Sequence, residues 1–316
     1  MTDASSAKWH GAALAEIRAS KPVDVTPTGM LCRRSTQLAV LICTWGVWLA
    51  SPAMGSPQRP ADEHATLQLI SEQDALVPGK ELWVALRFTL EDGWHTYWLN
   101  PGDSGEAPRI EWHLPGGFQA GQIQWPYPTR LLNPPFADYG YEHELLLMTA
   151  ISTPGSRLGE TVKIGANVHY LICREVCIPG KKELELTLPV RNHAAPAAAA
   201  ALFRVAREKQ PRPEPGAWRV AATSLKDEFV VDLPLAKPAP SPQFFPLEEE
   251  QIENAAPQKV SANPGGIRLH LMKSKHLREP ISHLKGVLVV GPGRAYLIDV
   301  PLSRSLSRAH RQPARN

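Results

Sequence analysis

The chain has 316 residues, with 34 Lys and Arg against 31 Asp and Glu, and a formal net charge of +3 at pH 7. This near balance provides no basic field for a nucleic acid, and we expect no nucleic-acid partner. The 31 prolines and 22 glycines are dispersed without a period, which favours many short strands joined by turns over long helices.

Residues 1–55 are predicted to be an N-terminal extension and a signal peptide. Arg33 and Arg34 precede an uncharged run at 38–50 (LAVLICTWGVWLA), and small residues follow at 51–56 (SPAMGS). A basic, an apolar and a small-residue segment in this order are typical of a secretory signal. The apolar run is shorter than the ~20 residues that span a bilayer. We expect translation to start at Met30, cleavage near residues 53–55, and export to an oxidising compartment.

Short strand-like segments recur along the first half of the mature chain, with Pro- and Gly-containing turns between them. They are 65–70, 82–88, 110–114, 145–151, 162–168 and 184–188. Six or more such strands over about 130 residues indicate an antiparallel β-sandwich. We place this domain at residues 56–193.

The strand pattern stops near His193. Residues 194–216 are assigned to a short alanine-rich helix and a stiff linker that ends in PRPEPG. A second strand-rich block covers 217–302, and the arginine-rich tail at 303–316 is expected to be disordered. The predicted fold is all-β, with two antiparallel β-sandwich domains joined by a short Ala/Pro-rich helix and linker.

Cys173 and Cys177 remain once Cys32 and Cys43 leave with the signal peptide. In an unbroken strand the two Cα atoms would lie ~13 Å apart, so a disulfide requires the chain to bend between them. We expect the segment to leave this bend at Pro179-Gly180. On the loop-closure model, a disulfide that closes so short a loop stabilises the folded state by about 2 kcal/mol. This is a weak reason to have the bridge for stability alone. Polar neighbours would leave it accessible to a thiolate.

Three interpretations of the cysteine pair remain open at this point. The pair can exchange electrons, or it can be a structural bridge in a non-catalytic β-sandwich binding module. His169, Cys173 and Cys177 also recur at four-residue intervals, so on a helix they would line one face as soft ligands for zinc or copper(I). Residues 168–172 (VHYLI) are rich in β-forming types, which argues against that helix.

Five motifs, in order, resemble the periplasmic N-terminal region of DsbD-type thiol:disulfide interchange proteins, above all their ScsB-like branch. They are 93–105 (GWHTYWLNPGDSG), 112–117 (WHLPGG), 123–130 (IQWPYPTR), 139–142 (YGYE) and 173–179 (CREVCIP). The resemblance covers residues 62–302, because four later segments look like the second module of that branch. These are 244–246 (FFP), 254–258 (NAAPQ), 286–289 (GVLV) and 296–302 (YLIDVPL).

The resemblance implies immunoglobulin-like domains in the periplasm, with Cys173 and Cys177 as a redox-active disulfide that needs no other cofactor. It implies that Cys177 forms the mixed disulfide with a partner. By position in the motifs, the aromatic residues that shield the pair are Tyr97, Phe136 and Tyr139, with Asp138 and Glu142 as nearby acids.

The resemblance also implies an electron route, in which the chain is one component of a protein-disulfide reductase. A thioredoxin-like domain, fed by a membrane electron transporter, would reduce the pair. The pair would then reduce periplasmic thioredoxin-fold acceptors that act in disulfide isomerisation, cytochrome c maturation or copper tolerance. No membrane or thioredoxin-like domain follows residue 302, so we expect either a truncated chain or a separate polypeptide that supplies the electrons.

Overall fold

The structure is a computed structural model that describes residues 60–155, 159–235 and 242–304. The predicted signal peptide lies outside these ranges, as does residue 305 onward in the predicted tail. Within them nearly all of the regular secondary structure is β-strand, which confirms the predicted all-β class. Alternation of apolar and polar residues is the main cause, because it gives many of the strands one face to bury.

The first domain begins with a 3-10 turn at Ala61–Glu63 and continues as ten strands over its described residues. They are β1 (Ala65–Ser71), β2 (Leu82–Leu90), β3 (His95–Gly102), β4 (Arg109–His113), β5 (Gln119–Ala120), β6 (Thr129–Asn133), β7 (Phe136–Glu142), β8 (Glu144–Ser152), β9 (Thr161–Cys173) and β10 (Cys177–Pro189). One sheet has the order β1-β2-β8-β5. The other has the order β10-β9-β3-β7-β6, with β4 also paired to β9. Their inner faces share one apolar core, the arrangement of a β-sandwich.

The helix α1 (Ala200–Glu208) packs against the outer face of the first domain. Its buried Phe203 and Ala206 contact Leu146 and Met148 on β8. Arg207 makes two hydrogen bonds, of 2.5 and 2.7 Å, to the carboxylate of Glu72. The helix is therefore packed onto the first sandwich along one apolar face.

The second domain contains the strands that follow the helix. They are β11 (Arg212–Pro213), β12 (Ala221–Ser224), β13 (Glu228–Leu233), β14 (Gln243–Pro246), β15 (Lys259–Asn263), β16 (Gly266–Met272), β17 (His283–Gly291) and β18 (Arg294–Arg304). They pair in the order β14-β17-β18-β12-β13-β16-β15, with β11 beside β18. The long strand β18 pairs with β17 over 294–301 and then with β12 over 302–304. It thereby joins β14 and β17 to β12, β13, β16 and β15. The domain has an apolar core of its own.

The two domains share packed side chains. Phe245, Val287 and Ala295 of the second domain belong to the apolar core of the first. The ring of Phe245 makes edge contacts with Trp98 and Tyr139, at centroid distances of 6.3 and 5.1 Å. Trp98 follows Tyr97 on β3, and Tyr97 contacts the cysteines, so this interface covers the opposite side of the strand.

The expected exit from the cysteine bend at Pro179-Gly180 is wrong, because β10 runs through both residues, paired with Leu171 and Tyr170. β10 is the edge strand of its sheet, where a proline costs no ladder hydrogen bond on its open side. Gly180 is required by close approach: a Cβ there would lie 2.2 Å from Cζ of Tyr170.

Gly180→Ala is expected to lower the free energy of unfolding by about 1–3 kcal/mol through overpacking. The Tyr170 ring cannot yield, since it is 5% exposed and its hydroxyl donates a 2.9 Å hydrogen bond to Asp62. Urea denaturation measures the change. Gly116→Ala is the matched control, because a Cβ at Gly116 meets nothing within 4 Å. Equal stability of the two variants would contradict this account.

Candidate redox site

Cys173 ends β9 and Cys177 begins β10, so the two cysteines close a β-hairpin with residues 174–176 as its loop. They lie directly opposite each other in the strand register and form a disulfide, with Cα atoms 4.1 Å apart. The side chain of Arg174 lies over the ring of Trp94, 5.5 Å from its centroid. Cys173 is 3% exposed, whereas Cys177 is exposed at the hairpin end. Cys173 is therefore an interior residue and Cys177 a surface residue.

Tyr97 contacts both sulfurs from β3. Its hydroxyl donates a 2.7 Å hydrogen bond to Sγ of Cys173 and lies 3.6 Å from Sγ of Cys177. The side chain is fully buried, and burial raises the pKa of the Tyr97 phenol to about 12, with a further contribution from Asp138. The phenol therefore stays protonated at neutral pH and remains a hydrogen-bond donor.

We name residues 102–106 the cap loop, because Gly105 in this segment lies against the ring of Tyr97. Gly105 has a φ of +88°, and a Cβ at this position would lie 2.1 Å from Cζ of Tyr97. Only glycine combines this left-handed backbone with so close an approach to the ring. The cap loop therefore holds the hydroxyl of Tyr97 against Cys173.

Asp138 on β7 anchors the cap loop. Its Oδ1 accepts hydrogen bonds from the backbone N–H and the hydroxyl of Ser104, at 2.9 and 3.0 Å. The side chain is 5% exposed. Burial raises the pKa of the Asp138 carboxyl, opposed by the bonds from Ser104. The predicted acid thus lies at the site, and its contacts are with the loop that covers Tyr97.

His95 pairs with Cys173 on one side and with Glu142 on the other. Its ring makes an edge contact with Tyr97, at a centroid distance of 5.3 Å. Nε2 is buried and has no hydrogen-bond partner among the described residues. Burial lowers the pKa of His95, and the charges of Asp138 and Glu142 oppose this shift. Glu142, the second predicted acid, is itself exposed.

Two of the residues expected to shield the pair lie elsewhere. Side chains alternate along β7, so Tyr139 points into the core, opposite in direction to Asp138. There it contacts Trp98 and Phe245. Phe136 is 51% exposed and begins β7, about 20 Å along the strand from Glu142 at the usual rise per residue. The structure corrects the expectation for both, and Tyr97 and the cap loop cover the pair instead.

His169 does not lie close to the cysteines, as it would if this segment were a helix. It lies within β9, opposite Lys181 and Arg109, and a strand separates residues four apart by ~13 Å. Over the described residues, no group of three or more His, Cys, Asp or Glu side chains is placed to hold a metal ion.

Sequence reasoning missed His95, Ser104 and Gly105. The signal for His95 was available, because it precedes Tyr97 by two residues and a strand places such residues on one face. Ser104 and Gly105 offered no comparable signal. Their role depends on how the loop after β3 folds back over the sheet.

The geometry supports exchange at Cys177. An incoming thiolate can reach the exposed Cys177, and Cys173 then leaves as the thiolate. The hydrogen bond from Tyr97 becomes charge-assisted at that moment and therefore stronger. A leaving group stabilised in this way speeds exchange.

A profile of the family described as "Thiol:disulfide interchange protein DsbD, N-terminal" matches residues 66–189, which include both cysteines, Tyr97 and the cap loop. Residues 66–189 form a DsbD-type N-terminal domain. The chain therefore carries a thiol:disulfide interchange module, of a kind that interacts with thioredoxin-like redox partners.

The fold of the DsbD-type domain and of the residues beyond it recurs in a solved structure. The N-terminal periplasmic domain of ScsB from Proteus mirabilis is 16% identical, with a TM-score of 0.57 over 78% of this chain and 96% of that one. This similarity shows a shared fold. No curated protein sequence matches the chain.

Two further solved structures align over most of the chain with low similarity. The periplasmic chaperone SfaE is 9% identical with a TM-score of 0.19, over 75% of this chain and 99% of that one. The S-layer protein SbsC, domains 5–6, is 10% identical with a TM-score of 0.17, over 76% and 97%. TM-scores this low do not indicate a shared fold. In the part of the chain that the structure describes, no helix is long and apolar enough to cross a membrane.

His95→Gln is expected to flatten the pH dependence of stability between about pH 7.5 and 5.5. The pKa of His95 is lower in the folded state than the ~6.5 of an unfolded histidine, so the unfolded chain binds the proton more tightly. Stability is therefore lost as pH falls through this window, and glutamine removes the loss. Asp138, with its raised pKa, acts in the opposite direction.

Urea denaturation of the oxidised protein across this pH range measures the effect. His113→Gln, at an exposed position on β4, is the control and should keep the wild-type profile. The same flattening in both variants would show that the burial of His95 is not its cause.

Proposed function

We propose that the chain is a periplasmic protein-disulfide reductase module that relays electrons through Cys173 and Cys177. The observation that carries this proposal is the asymmetry of the disulfide. Cys177 is exposed, while Cys173 is 3% exposed and accepts a hydrogen bond from Tyr97. A bridge needed only for stability requires neither an accessible sulfur nor a donor aimed at its partner.

Each electron transfer proceeds through a mixed disulfide. In the reduced module the Cys177 thiolate attacks one sulfur of an acceptor's disulfide, and the other acceptor sulfur leaves as a thiolate that takes up a proton. The Cys173 thiolate then attacks Sγ of Cys177, which releases the second acceptor sulfur as a thiol. The acceptor gains two electrons and two protons, and the Cys173–Cys177 disulfide forms again.

A thioredoxin-like dithiol would supply the electrons by the same steps in reverse. The proposed acceptors are thioredoxin-fold proteins of the periplasm, in disulfide isomerisation, cytochrome c maturation or copper tolerance. The pair itself carries the electrons in this proposal, without another cofactor. The DsbD-type family match and the periplasmic origin of the ScsB structure support this setting.

A trapping experiment tests the proposed roles of the two cysteines. The probe is a single-cysteine thioredoxin variant activated as its thionitrobenzoate mixed disulfide, and release of thionitrobenzoate is followed by absorbance. Cys173→Ser should react at least about tenfold faster than Cys177→Ser, because its remaining thiol is the exposed one. The covalent complex should survive, since no second thiol is left to resolve it.

Faster trapping by Cys177→Ser would reverse the assignment of the attacking residue. If neither variant formed a complex faster than an unstructured cysteine peptide, the relay function would be rejected in favour of a structural bridge.

A further inference from the structure

We propose that Asn254 of the second domain latches the cap loop over the redox site, and that this domain thereby controls access to Cys173. The proposal rests on the redox role of the cysteine pair. It assigns to the second domain a positioning role in the chemistry of the first.

Asn254 lies at the interface between the two domains and is 7% exposed. Its Nδ2 donates a 2.8 Å hydrogen bond to Oδ1 of Asp103 in the cap loop. Its Oδ1 accepts a 2.8 Å hydrogen bond from the hydroxyl of Tyr139. Both ends of the side-chain amide are therefore bonded to the first domain.

The orientation of this amide follows from the acceptor on Asp103. A carboxylate only accepts hydrogen bonds, so Nδ2 must face it, and the opposite orientation would place two oxygens together. Arg130 adds a second anchor, because its guanidinium donates to the backbone oxygens of Asn254 and Ala256. The loop that carries Asn254 is thus held in place before it contacts the cap loop.

A continuous set of contacts leads from Asn254 to the sulfur. Asp103 also accepts a 2.8 Å hydrogen bond from the N–H of Ala137 on β7. The next residue, Ser104, bonds to Asp138. Gly105 then lies against the ring of Tyr97, whose hydroxyl contacts Cys173.

Loss of the bond from Asn254 would leave the cap loop held to β7 alone, through Ala137 and Asp138. Asp103 and Gly105 are both exposed, so few apolar contacts remain to hold this segment closed, and such segments open locally at low cost. Opening uncovers Tyr97 and with it the buried Cys173. Cys177 is exposed in either state.

The test compares the alkylation rates of the two cysteines in the reduced full chain. The protein is reacted with iodoacetamide, and each site is quantified by mass spectrometry. Asn254→Asp places a carboxylate against Asp103 and should raise the rate at Cys173 at least about tenfold, which corresponds to about 1.4 kcal/mol of lost closing free energy. The rate at Cys177 should stay within about twofold of wild type, which makes it an internal control.

The double variant Asp103→Asn with Asn254→Asp is the rescue. Residue 103 then donates to residue 254 and still accepts from the N–H of Ala137, while residue 254 still accepts from Tyr139. The Cys173 rate should return to the wild-type value. Asp103→Asn alone should remain near wild type, because Asn254 can rotate its amide and accept from it.

Val231→Ala separates the latch from general destabilisation, since Val231 is fully buried in the core of the second domain. It should lower the unfolding midpoint without selective exposure of Cys173. An unchanged Cys173 rate in Asn254→Asp, absent rescue in the double variant, or an equal increase in Val231→Ala would each overturn the latch. None of these outcomes depends on whether the pair passes electrons to a partner.

Discussion

The pairing of Cys173 with Cys177 across the β9–β10 hairpin is the constraint on which the site depends. Because the two strands carry these residues directly opposite each other, the disulfide closes only the short hairpin loop at residues 174–176. The pairing of β3 with β9 places His95 beside Cys173, and Tyr97 on β3 points at the sulfurs. The sheet thus determines that Cys173 is buried, that Cys177 is exposed, and that the hydroxyl of Tyr97 donates to Sγ of Cys173.

The second domain completes this arrangement from the other side of the sheet. Phe245 packs edge-on against Trp98 and Tyr139, so the apolar packing of the first domain includes residues that are far away in the chain. Asn254 adds a polar contact to the cap loop at the edge of this interface. In the proposed latch, the second domain, which carries no cysteine, acts on Cys173 through the position of the cap loop.

The fold class and the positions of strands such as β1 could be predicted, because buried and exposed residues alternate along them. β3 and β7 were not predicted as strands, since they carry Pro, Gly and aromatic residues buried on both faces, as with Tyr97 and Trp98. The Cys173–Cys177 disulfide and the position of Tyr97 beside it could be predicted from the motifs. The error at Tyr139 arose because a motif gives the order of residues and not the strand face on which each one lies. The cap loop depends on a tertiary contact that no local pattern encodes.

The most direct test of the account is the redox equilibrium of the Cys173–Cys177 pair. The mature protein would be equilibrated in glutathione and dithiothreitol buffers of graded potential, quenched by alkylation, and its free thiols counted by mass. A relay that exchanges with periplasmic partners should be half reduced at a potential well above ~−300 mV. A pair that stays fully oxidised at ~−300 mV and below would behave as a structural disulfide and contradict the account.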